Sequence, residues 1–174
     1  RAPGDPASSE AVSLAHEAAG RAAAAGERHG EAIERYTRAI EARRTLLGTE
    51  AEADAEHTRR LMALVERRGR VHKALKDYDA AVADFNEAQR LAEARLEADP
   101  FSGRAFEDLA RAYENAGDVW YETGEHARAP DAYRVFLARS ERASELDPLS
   151  RQRRRMVALG HKKLADATRL SGER

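Results

Sequence analysis

One pattern returns three times in this chain at intervals of 48 or 49 residues. A glycine is followed twelve residues later by an alanine, and four residues after that by an aromatic. The copies are Gly20, Ala32 and Tyr36; Gly69, Ala81 and Phe85; and Gly117, Ala129 and Tyr133. Ala165 and Gly172 continue the register as a partial fourth copy. A period of this length means stacked supersecondary units, because each unit leaves a hydrophobic face that only its neighbour covers. The feature constrains architecture and is silent on chemistry.

Between these landmarks the apolar residues follow helical spacing. Leu61, Leu64, Val65, Val71 and Leu75 predict a helix over roughly 53–75, and Ala81, Val82, Phe85, Ala88 and Leu91 a second over 78–97. Phe106, Leu109, Tyr113, Val119 and Trp120, then Ala129, Tyr133, Phe136 and Leu137, predict the same pair one repeat on. Segments 8–26, 30–47 and 150–171 supply the remaining helices, and no alternating run suggests a strand. Short connections at Lys76-Asp77 and Gly124-Glu125 make each pair an antiparallel hairpin.

Each glycine inside a first helix costs about 1 kcal/mol relative to alanine. Its reuse at one place in three copies predicts a close helix–helix contact, with the aromatic of the second helix filling the space opposite. A second recurrence marks the junctions: Asp-Pro-x-Ser at Asp5–Ser8, Asp99–Ser102 and Asp147–Ser150. Proline stops one helix and serine caps the next. At the junction lacking proline, Gly48 and Thr49 are expected to end a helix, with Thr49 or Asp54 starting the next.

Half of the 42% hydrophobic content is alanine, which favours helix but buries little area per residue, so the core is thin and stability rests on neighbouring repeats. Thirty basic against 31 acidic side chains give a net charge of −1, which argues against a nucleic-acid or membrane-surface binder. With no cysteine there is neither a disulfide framework nor a thiolate metal site. No run approaches the ~18 apolar residues of a membrane span, and no leader pattern opens the chain. A cytoplasmic location is the expectation. The start at Arg1 and the stop at Arg174, where a further helix is due, read as cuts in a longer protein.

These residues resemble the tetratricopeptide repeat, whose signature places Leu-Gly-x-x-Tyr in the first helix and Ala-x-x-x-Phe in the second. Ala116-Gly117-Asp118-Val119-Trp120 and Ala129…Tyr133 match the two halves, and Tyr78–Phe85 resembles the family's turn into its second helix. The period looks like a lengthened variant of the family's usual 34 residues, as in large bacterial signalling proteins. The resemblance implies an all-α solenoid, a right-handed superhelix of three helix hairpins and a final unpaired helix, seven helices in all. It forms one domain over 1–174, with repeats at about 6–48, 49–98, 99–146 and 147–174. It also implies a non-catalytic scaffold that binds a protein or peptide in a concave groove lined by the first helices. The alternative is a regulatory segment of a multidomain bacterial signalling enzyme, such as a serine/threonine kinase, acting on its own parent chain. A subset of the family grips peptide carboxylates with Lys and Asn. Of the matching positions here only Lys162 fits, so that activity does not carry over.

No catalytic constellation stands out. Six histidines form no His-x-x-x-His pair; His16 and His161 fall at equivalent places in first helices, with Val65 and Tyr113, which points to packing. No phosphate loop, nucleophile elbow or kinase signature is present, and no cofactor or metal is expected. The regional anomaly is residues 149–174, where eight basic side chains face two acidic ones, a balance of +6. Without an aromatic to stack on, this segment predicts no nucleic-acid binding.

The groove residues expected to meet a partner are Glu66, Arg70, Lys73, Glu114, Asp118, Tyr121, Arg155, Lys162 and Arg169. Arg155, Lys162 and Arg169 are seven apart and share one face of the last helix. The 48-residue offset maps them onto Glu107, Glu114 and Tyr121, which predicts ion pairs Glu107–Arg155 and Glu114–Lys162. Exposed pairs of this kind contribute about 0–1 kcal/mol each, so their main effect is register and masking of the positive charge.

Overall fold

The computed structural model describes residues 6–47 and 55–172. Within them the chain is all-helical: α1 (Pro6–Ala25), α2 (His29–Leu47), α3 (Ala55–Ala74), α4 (Tyr78–Ala98), α5 (Gly103–Glu122), α6 (Ala129–Leu146) and α7 (Arg151–Ser171). The chain forms two compact units, Arg1–Glu87 and Ala88–Arg174, whose boundary falls within α4. In the first unit α1 packs on α2 and α2 on α3; in the second α5 packs on α6 and α6 on α7.

The glycine–aromatic pairs form the contacts that their spacing predicts. A Cβ built on Gly20 would stand 2.9 Å from the Tyr36 ring, one on Gly69 2.8 Å from Phe85, and one on Gly117 2.7 Å from Tyr133. Each first helix therefore lies directly on the edge of the aromatic that its partner helix presents. Tyr36, Phe85 and Tyr133 are buried, as are Ala32, Ala81 and Ala129 beside them. Gly160 makes a similar approach between α7 and α6, where a Cβ would lie 3.1 Å from Leu137 Cδ1.

The helix ends follow the same period. Glu27, Lys76, Gly124 and Gly172 all adopt positive φ, at 57°, 61°, 79° and 75°. They are the equivalent position of each repeat, the left-handed residue that closes a helix by offering its amide to carbonyls of the last turn. Glycine takes this conformation freely; Glu27 and Lys76 hold it with a side chain. At the junctions, Ser102 accepts from Ala105 N (3.3 Å) and Ser150 from Arg153 N (3.4 Å), as the Asp-Pro-x-Ser pattern predicts.

Several expectations need correction. α1 begins at Pro6, so Ser8 falls in its first turn rather than before it. Asp5, Gly48, Thr49 and Asp54 lie outside the described residues. Leu75 is not part of the inner stripe: α3 ends at Ala74, and Leu75 sits in the turn, 49% exposed. The α5–α6 connection is longer than predicted, because Pro130 fits only the first turn of a helix and α6 starts at Ala129. His161 is not a packing residue; its side chain is 64% exposed, 3.9 Å from Glu141.

Candidate functional site

In both units the first helices are tied to one another by ion pairs of one polarity, with carboxylates on the earlier helix and bases on the later. In the first unit Glu17 of α1 pairs with Arg67 of α3, and Glu10 lies 3.6 Å from Arg60. In the second, Glu107 of α5 pairs with Arg153 of α7 at 2.5 Å. Lys163 Nζ lies 2.9 Å from Glu114 Oε1 and 2.5 Å from Asp118 Oδ1. Arg153 also donates to the carbonyl of Ala143 at 3.0 Å, so it fastens α5, α6 and α7 together. A Cβ on Gly103, in the first turn of α5, would stand 2.7 Å from the Arg153 guanidinium.

The α5–α7 contact is therefore electrostatic, but its partners differ from those predicted. Arg153 and Lys163 make the pairs, in place of Arg155 and Lys162. Gly160 and Ala167, the buried residues of α7, define the packed face, and Arg153 and Lys163 flank it. Arg155 and Lys162 lie outside that face and are exposed. Burial pulls the Lys163 ammonium down, but hydrogen bonds to Asp118 and Glu114 outweigh it and its pKa is raised. Asp118 also accepts from Tyr133 Oη at 2.8 Å. Burial first, and then the Asp118 charge, push that phenol well above its ordinary pKa.

The nine residues expected from the sequence to meet a partner thus fall into three groups. Glu66 is 2% exposed and belongs to the interior, and Lys73 is half-buried on α3. Glu114 and Asp118 converge on Lys163, while Tyr121 packs against the buried cluster of Tyr133 and Phe136, its ring 6.3 Å from His126 in an edge contact. Arg70, Arg155, Lys162 and Arg169 are exposed, with Arg169 3.1 Å from Asp166 of its own helix. Arg155 and Arg151 border a shallow cavity of about 470 Å³ over Met156 and Leu159.

Arg70 stands in a cleft of about 380 Å³ between α1 and α3, floored by α2. Arg21, Arg67, His29 and Tyr36 line it as well. This basic cleft is absent from the sequence reading, although Glu17, Glu66 and Glu114 recur at the repeat interval, as do Arg67, Asn115 and Lys163. Aligning those two series would have singled out Lys163 over Lys162.

Among the described residues, no group of three His, Asp or Glu side chains converges so as to hold a metal ion, and no helix is long and apolar enough to cross a membrane. The arrangement presents charged side chains on helix faces with open clefts beside them.

No curated protein matches the chain. Among solved structures it is similar to the one described as the crystal structure of MamA protein, at 15% identity over 93% of each chain with a TM-score of 0.31. A second, described as MamA AMB-1, is 15% identical over 92% of this chain and 88% of that one, with a TM-score of 0.24. Such low superposition adds no argument about function. The family model for the tetratricopeptide repeat matches residues 66–95, from the second half of α3 through the turn at Lys76 and most of α4. This stretch contains the Gly69–Phe85 contact, whose geometry recurs at Gly20–Tyr36 and Gly117–Tyr133. The family match thus covers residues 66–95, and that stretch is what resembles a tetratricopeptide repeat.

Proposed function

We propose that this chain is a non-catalytic scaffold that binds a protein or peptide segment along the exposed faces of its first helices. Repeats of this family generally bind proteins or peptides, and no catalytic family is indicated. The observation that carries the reading is an imbalance of accessible charge. The carboxylates Glu17, Glu107, Glu114 and Asp118 are engaged in helix-to-helix ion pairs, while Arg21, Arg70, Arg155 and Lys162 stand exposed beside open clefts. A partner segment carrying acidic residues complements such a face, and rim charges of this kind act chiefly on association rate and specificity.

A random peptide library panned on the purified chain tests this. Enriched peptides should be acidic, should bind more weakly as salt rises, and should lose binding to Arg70→Glu or Arg155→Glu variants. Substitution of outward-facing Arg38 or Arg134 on the second helices should leave binding unchanged. Failure to enrich any sequence, or binding that tracks Arg38 and Arg134, would refute the proposal.

A further inference from the structure

The same structural frame occurs once in each unit, and the two copies have opposite character. Two repeats apart, Glu17, Arg21, Ala24, His29 and Tyr36 of the first unit correspond to Glu114, Asp118, Tyr121, His126 and Tyr133 of the second; Arg67 and Arg70 correspond to Lys163 and Asp166. In the second unit the frame closes on itself. Tyr121 packs beside Tyr133 and against His126, Tyr133 donates its hydroxyl proton to Asp118, and Lys163 neutralises Asp118 and Glu114. Lys163 there stands between Glu114 and Asp118, and Asp166 pairs with Arg169 of its own helix.

In the first unit each closing element is replaced. Ala24 stands where the Tyr121 ring would be, which leaves the cleft of about 380 Å³ open. Arg21 and Arg70 take the places of Asp118 and Asp166, so three guanidiniums stand against Glu17 alone, a balance of +2. Tyr36 is only 3% exposed, and its hydroxyl makes no hydrogen bond within the described residues. Its counterpart is satisfied by a carboxylate, whereas the guanidinium of Arg21 has donors and no acceptor. The cleft thus holds an O–H donor without an internal partner, two guanidiniums beyond the Glu17–Arg67 pair, and empty volume between them.

We infer that this cleft binds a phosphoryl dianion, presented by a phosphoserine or phosphothreonine of a bound peptide segment. A phosphorylated side chain carries about −1.5 to −2 charge near pH 7, which matches the uncompensated +2, and it offers three acceptor oxygens. Guanidinium forks fit those oxygens two at a time, and the Tyr36 hydroxyl supplies a further donor. A carboxylate brings one charge and two oxygens, leaving one arginine uncompensated. The inference deepens the scaffold reading and rests on it for the peptide.

Calorimetric titration and amide-shift mapping of the whole chain test it with four probes: inorganic phosphate, and the capped peptide Ala-Ala-phosphoserine-Ala-Ala with its serine and glutamate versions. The phosphoserine peptide should bind at least tenfold tighter than the other three, with shifts centred on residues 17–24 and 67–74. Arg21→Asp with Arg70→Asp, which installs the charges of the second unit at exposed positions, should abolish the preference. Tyr36→Phe should weaken it severalfold while preserving the fold, since Phe85 fills the same place one repeat on. Equal binding of serine and phosphoserine peptides, or a preference that survives the double substitution, would overturn the inference. Inorganic phosphate binding as tightly as the phosphopeptide would overturn the peptide source. If library panning still yields groove-binding peptides in either case, the scaffold reading stands and only the chemistry assigned to this cleft falls.

Discussion

Replacing Gly117 by alanine places a methyl carbon 2.7 Å from Tyr133 Cε1, 3.0 Å from Cδ1 and 3.2 Å from Ala132 Cβ. Two opposing effects decide the outcome. Alanine improves helix propensity by about 1 kcal/mol over glycine. Against that, overpacking a filled interface costs about 1–3 kcal/mol. Tyr133 cannot swing aside freely, because it is 3% exposed and its hydroxyl is held 2.8 Å from Asp118. A hydrogen bond to a charged group contributes about 1.5–3 kcal/mol, and moving the ring weakens it. The net expectation is destabilisation by about 1–3 kcal/mol, or a fall of roughly 3–10 °C in melting temperature for a chain of this size. Urea unfolding followed by far-ultraviolet circular dichroism gives the free energy directly. Gly30→Ala is the control: it lies in α2 with nothing within 4 Å of the added methyl, so it should stabilise by about 0.5–1 kcal/mol. Tyr133→Leu in the Gly117→Ala background should restore part of the loss, with a coupling of at least about 1 kcal/mol. A Gly117→Ala variant as stable as Gly30→Ala would refute the close-approach reasoning, for Gly20 and Gly69 as well.

Lys163→Met should destabilise by about 1–3 kcal/mol, because it strips Glu114 and Asp118 of their shared cation, whereas Lys162→Met should stay within about 0.5 kcal/mol. In denaturation cycles, Lys163→Glu should recover part of the stability lost on Glu114→Lys, and Lys162→Glu should recover none. Lys76→Gly should raise stability by about 0.5–1 kcal/mol by relieving a side chain at φ 61°, and Gly124→Ala should lower it by a similar amount, both measured by urea titration. At high pH, the raised pKa values of Tyr36, Tyr113, Tyr133 and Lys163 mean the folded state holds protons that the unfolded state has released. Stability is therefore full below about pH 10 and falls as pH rises through the folded values, and Lys163→Met should flatten the upper part of that fall. In acid, hydrogen bonds from Arg59 and Arg60 hold Glu56 near pKa 2 against an ordinary 4.5. Its contribution should vanish between those values and be missing throughout in Glu56→Gln; at 42% exposure, solvent screening keeps it below about 1 kcal/mol.

The architecture was legible because it rests on short-range, periodic chemistry. Glycine at 20, 69 and 117 and an aromatic sixteen residues after each are enough to specify where a first helix touches its partner. The serines at 102 and 150 mark helix starts by a bond spanning three residues. Local signals failed where one residue changed the local rule, as at Pro130, whose ring permits a helix start and little else.

The site was legible only as a composition. The sequence named the charged faces of α5 and α7, but chose Arg155 and Lys162 from a seven-residue stripe drawn without reference to the packed face. Neighbouring residues on a helix point about 100° apart. A one-residue difference therefore separates the half-buried Lys163, inserted between two carboxylates, from the exposed Lys162. The buried positions Gly160 and Ala167 set that rotation, and they do so through contact with α6. The basic cleft is a stronger case. Arg21, Ala24, Tyr36, Arg67 and Arg70 are unremarkable along the chain, and Ala24 carries no signal at all. Their meaning comes from three helices meeting at one place, where an absent ring leaves a volume and two arginines surround a hydroxyl without an acceptor. Sequence periodicity fixed which helices exist and where they touch; helix rotation and three-body packing decided which charges are paired and which remain open to a partner.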